Sequence, residues 1–423
     1  MSVVLPPAES SEPRPNPPRP VVWLVALVVT LIAGGATALL TWPKGEPTGT
    51  AWFWIRLFVI PPLSWGLAFG LRLFYREQEN DRIEAENEAL QEAYETALQF
   101  ASEPLAVNGV AYLTGLGTKE LARKLADGSI TLTAQTTRSG VEGIRHSALT
   151  LEKESIPKEN DEHKDDDPET RRYRNCFDAL IAAIAPTVKV IAFDIPFGVR
   201  LQLPDETKRD HLRQVWQTCW DKSGLRRTQA VLTESSQGVM SLDEWLDIKG
   251  GPRLEKALLF VSVQLHETPP QNSAEVAVAL ILSWLPLAQR RRLPIVAHVH
   301  RPVEAISNDV SASITTALQW GRAEGKEVED LWQSGVERAE KDAISQCMSD
   351  LAIGVSATPN FSGLHNIDAA LGCPGSSAGW MALALGVEQA SGRKKAQLIA
   401  WREASLRFLV VQPVAQKEKT VEE

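Results

Sequence analysis

The 423-residue sequence has few cysteines, and they are widely spaced. No two of them form a CxxC pair, and none has the Cys/His spacing of a zinc site. This spacing argues against a disulfide framework, and it predicts reduced thiols and no metal centre. The four are Cys176, Cys219, Cys347 and Cys373.

The sequence also lacks an excess of positive charge and the common catalytic signatures. It has 44 Lys and Arg against 53 Asp and Glu, a net charge of −9, which argues against nonspecific nucleic-acid binding because that requires clustered cations. GxSxG, HExxH and the kinase motifs are absent. "GLGTKE" lacks the remaining residues of a phosphate-binding loop. We therefore predict no cofactor and no nucleic-acid partner.

An acidic run between residues 152 and 169 offers one further metal hypothesis, built from His163, Asp165, Asp166 and Asp167. A run of adjacent acids lacks the spacing with which a loop folds around an ion. We interpret the run as a solvated loop.

Two long apolar segments stand near the start of the chain. Val21–Trp42 has no charged residue over a length that crosses a hydrocarbon core of about 30 Å at about 1.5 Å per residue. Ala51–Phe74 contains Arg56, which can snorkel, and two prolines that a membrane helix tolerates. We predict a two-span hairpin; a cleaved signal peptide and a surface-lying second segment are the alternatives.

The cations around this hairpin predict its orientation. Arg14 and Arg19 precede the first span, and three arginines lie at or after the end of the second, whereas the connecting loop holds only Lys44. The positive-inside rule then places both ends in the cytoplasm. We therefore expect a bacterial inner-membrane protein with a cytoplasmic soluble region.

Composition divides the chain into five segments. We predict a disordered Pro-rich tail (1–20), a transmembrane hairpin (21–74), a juxtamembrane helix (75–103), an α/β soluble region with two possible subdomains split near 300 (104–415), and a polar tail (416–423). Within the soluble region, strand and helix patterns alternate, which is typical of a mainly parallel sheet covered on both faces. The apolar run 273–289 is interpreted as a core helix.

The stretch "LGCPGSSAGWMALALG" (371–386) reads as a glycine-rich turn that opens a small-residue helix. A thiol at a helix N-terminus can act as a nucleophile, but it requires a base. The nearest candidates, His298 and His300, alternate along a predicted strand and so face opposite sides. The other interpretation, which we favour, is that Cys373 is a small residue in a packing corner.

Two segments resemble the ends of a β-ketoacyl-synthase domain. "LAVNGVAYLTGLGTKELARKLADGS" is similar to its opening strand, TGLG turn and helix, and residues 371–413 are similar to its closing turn, helix and strand pair. The resemblance implies a thiolase-like fold over about 104–423. The family's nucleophilic cysteine lies mid-chain and its HGTGT-type motif is missing here, so the resemblance implies a catalytically degenerate member.

The overall layout resembles a bacterial family of type VI secretion accessory proteins. The resemblance is carried by the tail, the hairpin, the stalk helix, "EPLAVNGVAYLTG" and "RRYRNCFDALIAA". It implies a membrane-anchored, non-catalytic adaptor whose partners are a phospholipase effector or a spike protein. The alternative is a ketosynthase-like acyltransferase at the membrane that depends on Cys373, with His298 and His300 as the candidate bases.

Overall fold

The computed structural model describes residues 3–9, 13, 15–138, 140–151, 167–204, 208–305 and 309–414. Most of the predicted metal-binding run, with His163, Asp165 and Asp166, lies outside these residues, as does the predicted polar tail 416–423. The chain forms two compact units, residues 4–99 and residues 100–423 together with the first three.

The N-terminal unit is a helical hairpin. Its helices are α1 (Pro20–Leu40), α2 (Ala51–Phe58) and α3 (Ile60–Ala101). The first helix and the segment Ala51–Ala101 are long and apolar enough to cross a membrane, with mean hydropathies of 2.3 and 1.5 over their most apolar windows. The indole Nε1 of Trp65 donates to the carbonyl of Trp23 at 2.9 Å, and Gly34 leaves room for the ring of Pro61. The two apolar segments therefore pack on each other in antiparallel directions.

The C-terminal unit alternates strands and helices. Its strands are β1 (Leu105–Thr114), β2 (Ala134–Gln135), β3 (Ile144–Ser147), β4 (Phe197–Gln202), β5 (Ala230–Leu232), β6 (Ala257–Gln264), β7 (Ser273–Ala274), β8 (Val276–Trp284), β9 (Ala297–Val299), β10 (Val303–Glu304), β11 (Asp330–Ser334), β12 (Leu364–Asn366), β13 (Gln397–Arg402) and β14 (Leu406–Pro413). Its helices are α4 (Leu121–Ala126), α5 (Pro168–Val190), α6 (Arg209–Lys222), α7 (Ser241–Leu246), α8 (Leu285–Arg290), α9 (Val310–Trp320), α10 (Arg338–Asp350), α11 (Gly354–Ala357), α12 (Ile367–Ala370) and α13 (Ala378–Arg393).

The large sheet consists of two halves with the same topology. The first half has the order β1-β8-β6-β4-β5 and the second β9-β14-β13-β11-β12, and the halves join where β1 pairs antiparallel with β9. In each half the fifth strand, β8 or β14, runs antiparallel to the other four. The prediction of a mainly parallel sheet is therefore wrong, and the sheet is mixed. The reason is that β8 follows β6, and β14 follows β13, without the helical crossover that a parallel pairing needs.

The predicted core helix 273–289 is also wrong, because most of it is the central strand β8. The even-numbered residues from Val276 to Leu282 pack into the core that contains α13, and the odd-numbered residues from Ala277 to Ile281 pack into the core that contains α5 and α6. Both faces of the strand are thus apolar, as expected for a strand covered by helices on two sides.

The helix α13 is the central element of one core, and it contacts strands of both halves. Its small residues permit close approach to the sheet. A Cβ on Gly379 would lie 2.6 Å from Nε1 of Trp401, and one on Gly386 would lie 2.4 Å from Cδ1 of Ile399. This close packing fixes the N-terminus of α13, where the sequence places Cys373.

Candidate functional site

A cavity of about 570 Å³ lies at the ends of several strands in the C-terminal unit. The residues that line it come from the segments after β5 and β11, from the turn before α13 and from the turn between β13 and β14. They are Ser235, Ser236, Gly335, Glu337, Cys373, Gly375, Ser376, Arg402, Glu403 and Ala404. We call this space the Cys373 cavity. Ligand sites of α/β proteins commonly lie at the carboxyl ends of strands, which is where β5 and β11 lead into it.

The turn that carries Cys373 is held by backbone hydrogen bonds. The amide of Cys373 donates to the carbonyl of Asn272 at 2.7 Å, and its carbonyl accepts from the amide of Ala274 at 2.9 Å. Gly372 has a φ of +96°, and a Cβ there would lie 2.2 Å from the carbonyl oxygen of Ser273. Only glycine fits this combination of left-handed backbone and close approach.

Side chains from the first half of the sheet hold the next part of the turn. Gln202 donates to the carbonyl of Ser376 at 2.7 Å, and the hydroxyl of Ser376 donates to Oε1 of Gln264 at 2.9 Å. The hydroxyls of Ser262 and Ser377 share a hydrogen bond of 2.8 Å. The turn before α13 is therefore fixed in place from two directions, which keeps Cys373 in a constant position in the cavity wall.

Cys373 is the one cysteine of the four that is not fully buried. Burial still raises the pKa of its thiol, and the nearby carboxylate of Asp368 raises it further, whereas a hydrogen bond from the backbone of Gly375 and the charge of Lys341 lower it. Asp368 itself accepts from Ser334 and from the amide of Gly335, each at 2.8 Å. Cys373 is thus predominantly protonated at neutral pH and would need a base to react.

Glu403 in the cavity wall carries a carboxyl group with a raised pKa. Burial raises the pKa of its carboxyl group to about 7, against the opposing effects of Arg407 and the indole of Trp401. Its side chain pairs with Arg407, and Gly238, whose φ is +46°, leaves the space that the carboxylate fills. A carboxylate with a pKa near neutrality can both accept and return a proton at physiological pH.

The two histidines that the sequence offered as bases do not line this cavity. His298 lies in β9, in register with Ala106 and Gln412. His300 follows β9 and is buried, and its Nδ1 contacts the carbonyl of Ser102 at 3.2 Å. Burial lowers the pKa of His300 to about 4, so it is neutral at physiological pH. Cys373 therefore shares its cavity with Glu403 and not with His298 or His300.

The first half of the fold has a position equivalent to the Cys373 turn. Both segments follow the third strand of their half, β5 or β12, and lead into the helix that precedes its fourth strand, α7 or α13. In the first half this segment holds Ser235, Ser236 and Gln237 and no cysteine.

The sequence alone did not point to Glu403 as a site residue. The side chain of Glu403 is buried against Gly238 and Arg407, and both of these residues are distant from Cys373 in the chain. A glutamate in a short hairpin turn gives no signal of burial.

Comparison with solved structures relates the C-terminal unit to ketosynthases. The ishigamide ketosynthase/chain length factor is 15% identical with a TM-score of 0.51, over 74% of this chain and 100% of that chain. The ketosynthase from module 1 of the bacillaene synthase of Bacillus amyloliquefaciens is 11% identical with a TM-score of 0.52, over 75% and 77%. A β-ketoacyl synthase from Burkholderia phymatum is 13% identical with a TM-score of 0.50, over 74% and 100%. Comparisons with protein families and with curated proteins find no match.

These likenesses define the C-terminal unit as a thiolase-like α/β domain with the ketosynthase fold, as the terminal motifs predicted. The predicted function as a type VI secretion adaptor is wrong, because the domain has the fold of ketosynthases. The expectation that the chain is not an enzyme is wrong for the same reason, since this is an enzyme fold. The predicted protein partners and the predicted absence of nucleic acid have not been tested and stay predictions.

Proposed function

We propose that this chain is a ketosynthase-like enzyme that takes an acyl group from a thioester onto Cys373. The observation that carries the proposal is the position of the one partly exposed thiol in the Cys373 cavity, within this fold and in a cavity that a carboxylate of nearly neutral pKa also lines. Three other cysteines are buried and do not line the cavity.

The step requires a proton acceptor because the thiol is protonated at rest. In its ionised form Glu403 takes up the proton of Cys373, and the sulfur attacks the thioester carbonyl carbon. The new C–S bond replaces the C–S bond of the substrate, and the proton passes from Glu403 to the leaving thiolate. Reactants and products then balance, with one thioester and one thiol on each side.

The test is covalent labelling of the full chain in detergent micelles. We expect incubation with short-, medium- or long-chain acyl-coenzyme A to add the mass of one acyl group, and neutral hydroxylamine to remove it. Cys373→Ala should abolish the adduct, whereas Cys347→Ala, which alters a buried cysteine of α10, should retain it. Absence of acylation with every acyl donor in a folded protein would refute the proposal.

We also propose a location for the reaction. The helical hairpin of the N-terminal unit would anchor the enzyme in the bacterial inner membrane, with both ends in the cytoplasm. Its length, its composition and the distribution of flanking arginines support this arrangement. Reporter fusions after Glu423 should be active in the cytoplasm and inactive in the periplasm, and the reverse result would refute this topology.

A further inference from the structure

A second pocket of about 170 Å³ lies between α7 and the strands β4, β5 and β6. Its lining includes two cations, Arg200 from β4 and Lys256 just before β6. Among the described residues, neither cation has an ion-pair partner within 4.0 Å. Arg200 is exposed, and the Lys256 ammonium lies 5.6 Å from the centroid of the Trp245 ring. Two neighbouring cations without a carboxylate partner favour a negatively charged occupant.

Glu244 is the one carboxylate among the residues that line this second pocket. Its Oε1 accepts a hydrogen bond from Nε2 of Gln237 at 2.9 Å. Burial lowers the pKa of Lys256, and the charges of Arg200 and Arg253 lower it further. Burial and two neighbouring cations thus act on Lys256 in the same direction.

The walls of the second pocket also hold unused hydrogen-bonding groups. The indole Nε1 of Trp245 and the hydroxyl of Thr233 are buried and have no hydrogen-bond partner among the described residues. Trp245 is 4% exposed and Thr233 7% exposed. Unsatisfied buried polar groups are uncommon in folded proteins and call for a physical explanation. Both residues line the same pocket as the two cations, and both atoms are hydrogen-bond donors.

We infer that the second pocket is a binding site for a phosphate-class oxyanion, held by Arg200 and Lys256 with Trp245 and Thr233 as further donors. Arginine offers a planar fork to such an anion, and lysine offers a point charge. The occupant is a phosphate group, either of a free small molecule or of a phospholipid headgroup. The site is separate from the Cys373 cavity, so it does not depend on the proposed acyl transfer.

The test measures the thermal midpoint of the full chain in detergent micelles, with inorganic phosphate or with chloride at equal ionic strength. A ligand that binds the folded state raises this midpoint. We expect phosphate to raise it for the unsubstituted protein. Lys256→Gln should weaken the phosphate affinity by about tenfold or more, the equivalent of one charge-assisted hydrogen bond. The charge-matched control Lys119→Gln, at an exposed position outside the pocket, should respond like the unsubstituted protein.

Micelles that contain phosphatidic acid distinguish the two sources of the phosphate group. Stabilisation by this lipid and not by free phosphate would assign the site to a headgroup, and stabilisation by free phosphate would assign it to a soluble ligand. Without ligand, Lys256→Gln should change the midpoint little, because the lost repulsion from Arg200 offsets the lost contact with the ring of Trp245. Equal phosphate responses in Lys256→Gln and Lys119→Gln, or no response to either source, would overturn the inference. Cys373→Ala should keep the full response.

Discussion

Glu403 and Arg407 form a buried ion pair in the wall of the Cys373 cavity. Arg407 also donates to the carbonyl of Ser236 at 3.2 Å, so the pair joins the turn between β13 and β14 to the segment after β5. Both segments line the cavity. The pair therefore sets the shape of the cavity as well as the protonation state of its carboxylate.

The rate of Cys373 acylation should depend on pH through Glu403. Its pKa is about 7, mainly because of burial, so it is protonated and inactive as a base below that value. We expect the rate to rise about tenfold per pH unit below about pH 7 and to flatten above it. In Glu403→Gln the rise of the rate below about pH 7 should disappear, and the rate itself should fall. The exposed control Glu327→Gln should keep this rise. An unchanged profile in Glu403→Gln would exclude Glu403 as the base.

The turn before α13 should not tolerate a side chain at Gly372. Gly372→Ala places a Cβ 2.2 Å from the carbonyl oxygen of Ser273 and displaces Cys373. We expect a loss of about 2 kcal/mol or more in the free energy of unfolding, together with slower acylation. Gly128→Ala is the matched control, because Gly128 also has a positive φ but an added Cβ there meets no atom within 4 Å. Chemical denaturation should show a smaller loss for Gly128→Ala; equal losses would mean that the close contact is unimportant.

Two glycines of α13 should respond to alanine with opposite signs. Gly379→Ala would place a methyl group 2.6 Å from the fully buried indole of Trp401, so we expect destabilisation of about 1–3 kcal/mol. Gly392→Ala meets no atom within 4 Å in the same helix, and its higher helix propensity should stabilise the protein by up to about 1 kcal/mol. Denaturation midpoints of the two variants test this, and a stabilised Gly379→Ala would contradict the close packing of α13.

A buried network at the β11–β12 edge should contribute to stability at neutral pH. Asp330 lies 2.7 Å from Nε2 of His365 and 3.2 Å from Nη1 of Arg393. Burial acts to raise the pKa of Asp330, but its hydrogen bond and charge interaction with His365, together with Arg393, keep it below its usual value. The stabilisation is therefore present above a pH of about 3.9, which is the pKa of this carboxyl group in the unfolded chain. It is lost as the pH falls through the lower pKa that Asp330 has in the folded protein.

Asp330→Asn should consequently lower the free energy of unfolding by about 3 kcal/mol at neutral pH. Its difference from the unsubstituted protein should shrink below about pH 4, where Asp330 begins to be protonated in the unfolded chain. Urea denaturation at several pH values measures both effects. Asp342→Asn, at an exposed position of α10, serves as the control and should change stability little. A constant difference at every pH would show that the charge of Asp330 is not the source of its contribution.

Local composition predicted the hairpin and the α13 turn, because both signals lie within a short stretch of sequence. The helix α1 begins at Pro20, next to the uncharged run from Val21. The helix α13 begins at Ala378, directly after the glycine-rich turn that contains Cys373. The strand β8 could not be recognised in this way. Its residues from Val276 are apolar on both faces, so the period of two that marks a half-buried strand is absent.

Long-range contacts explain the other differences between prediction and structure. The antiparallel direction of β14 depends on the tight turn at Glu403, and no periodicity along the chain reports strand direction. The raised pKa of Glu403 depends on packing against Gly238, 165 positions earlier in the sequence. The second pocket likewise depends on a long-range contact, because Arg200 belongs to β4 and Lys256 directly precedes β6.

The repeated five-strand topology has a consequence for how the C-terminal unit folds. A separate first half would leave the outer edge of β1 unpaired, and it would lack α13, which covers β1 and β8 but belongs to the second half. Each half would then expose a broad apolar face and an open strand edge, which promote aggregation. We therefore expect the two halves to unfold in one cooperative transition, and we expect that neither half can be produced alone as a stable fragment.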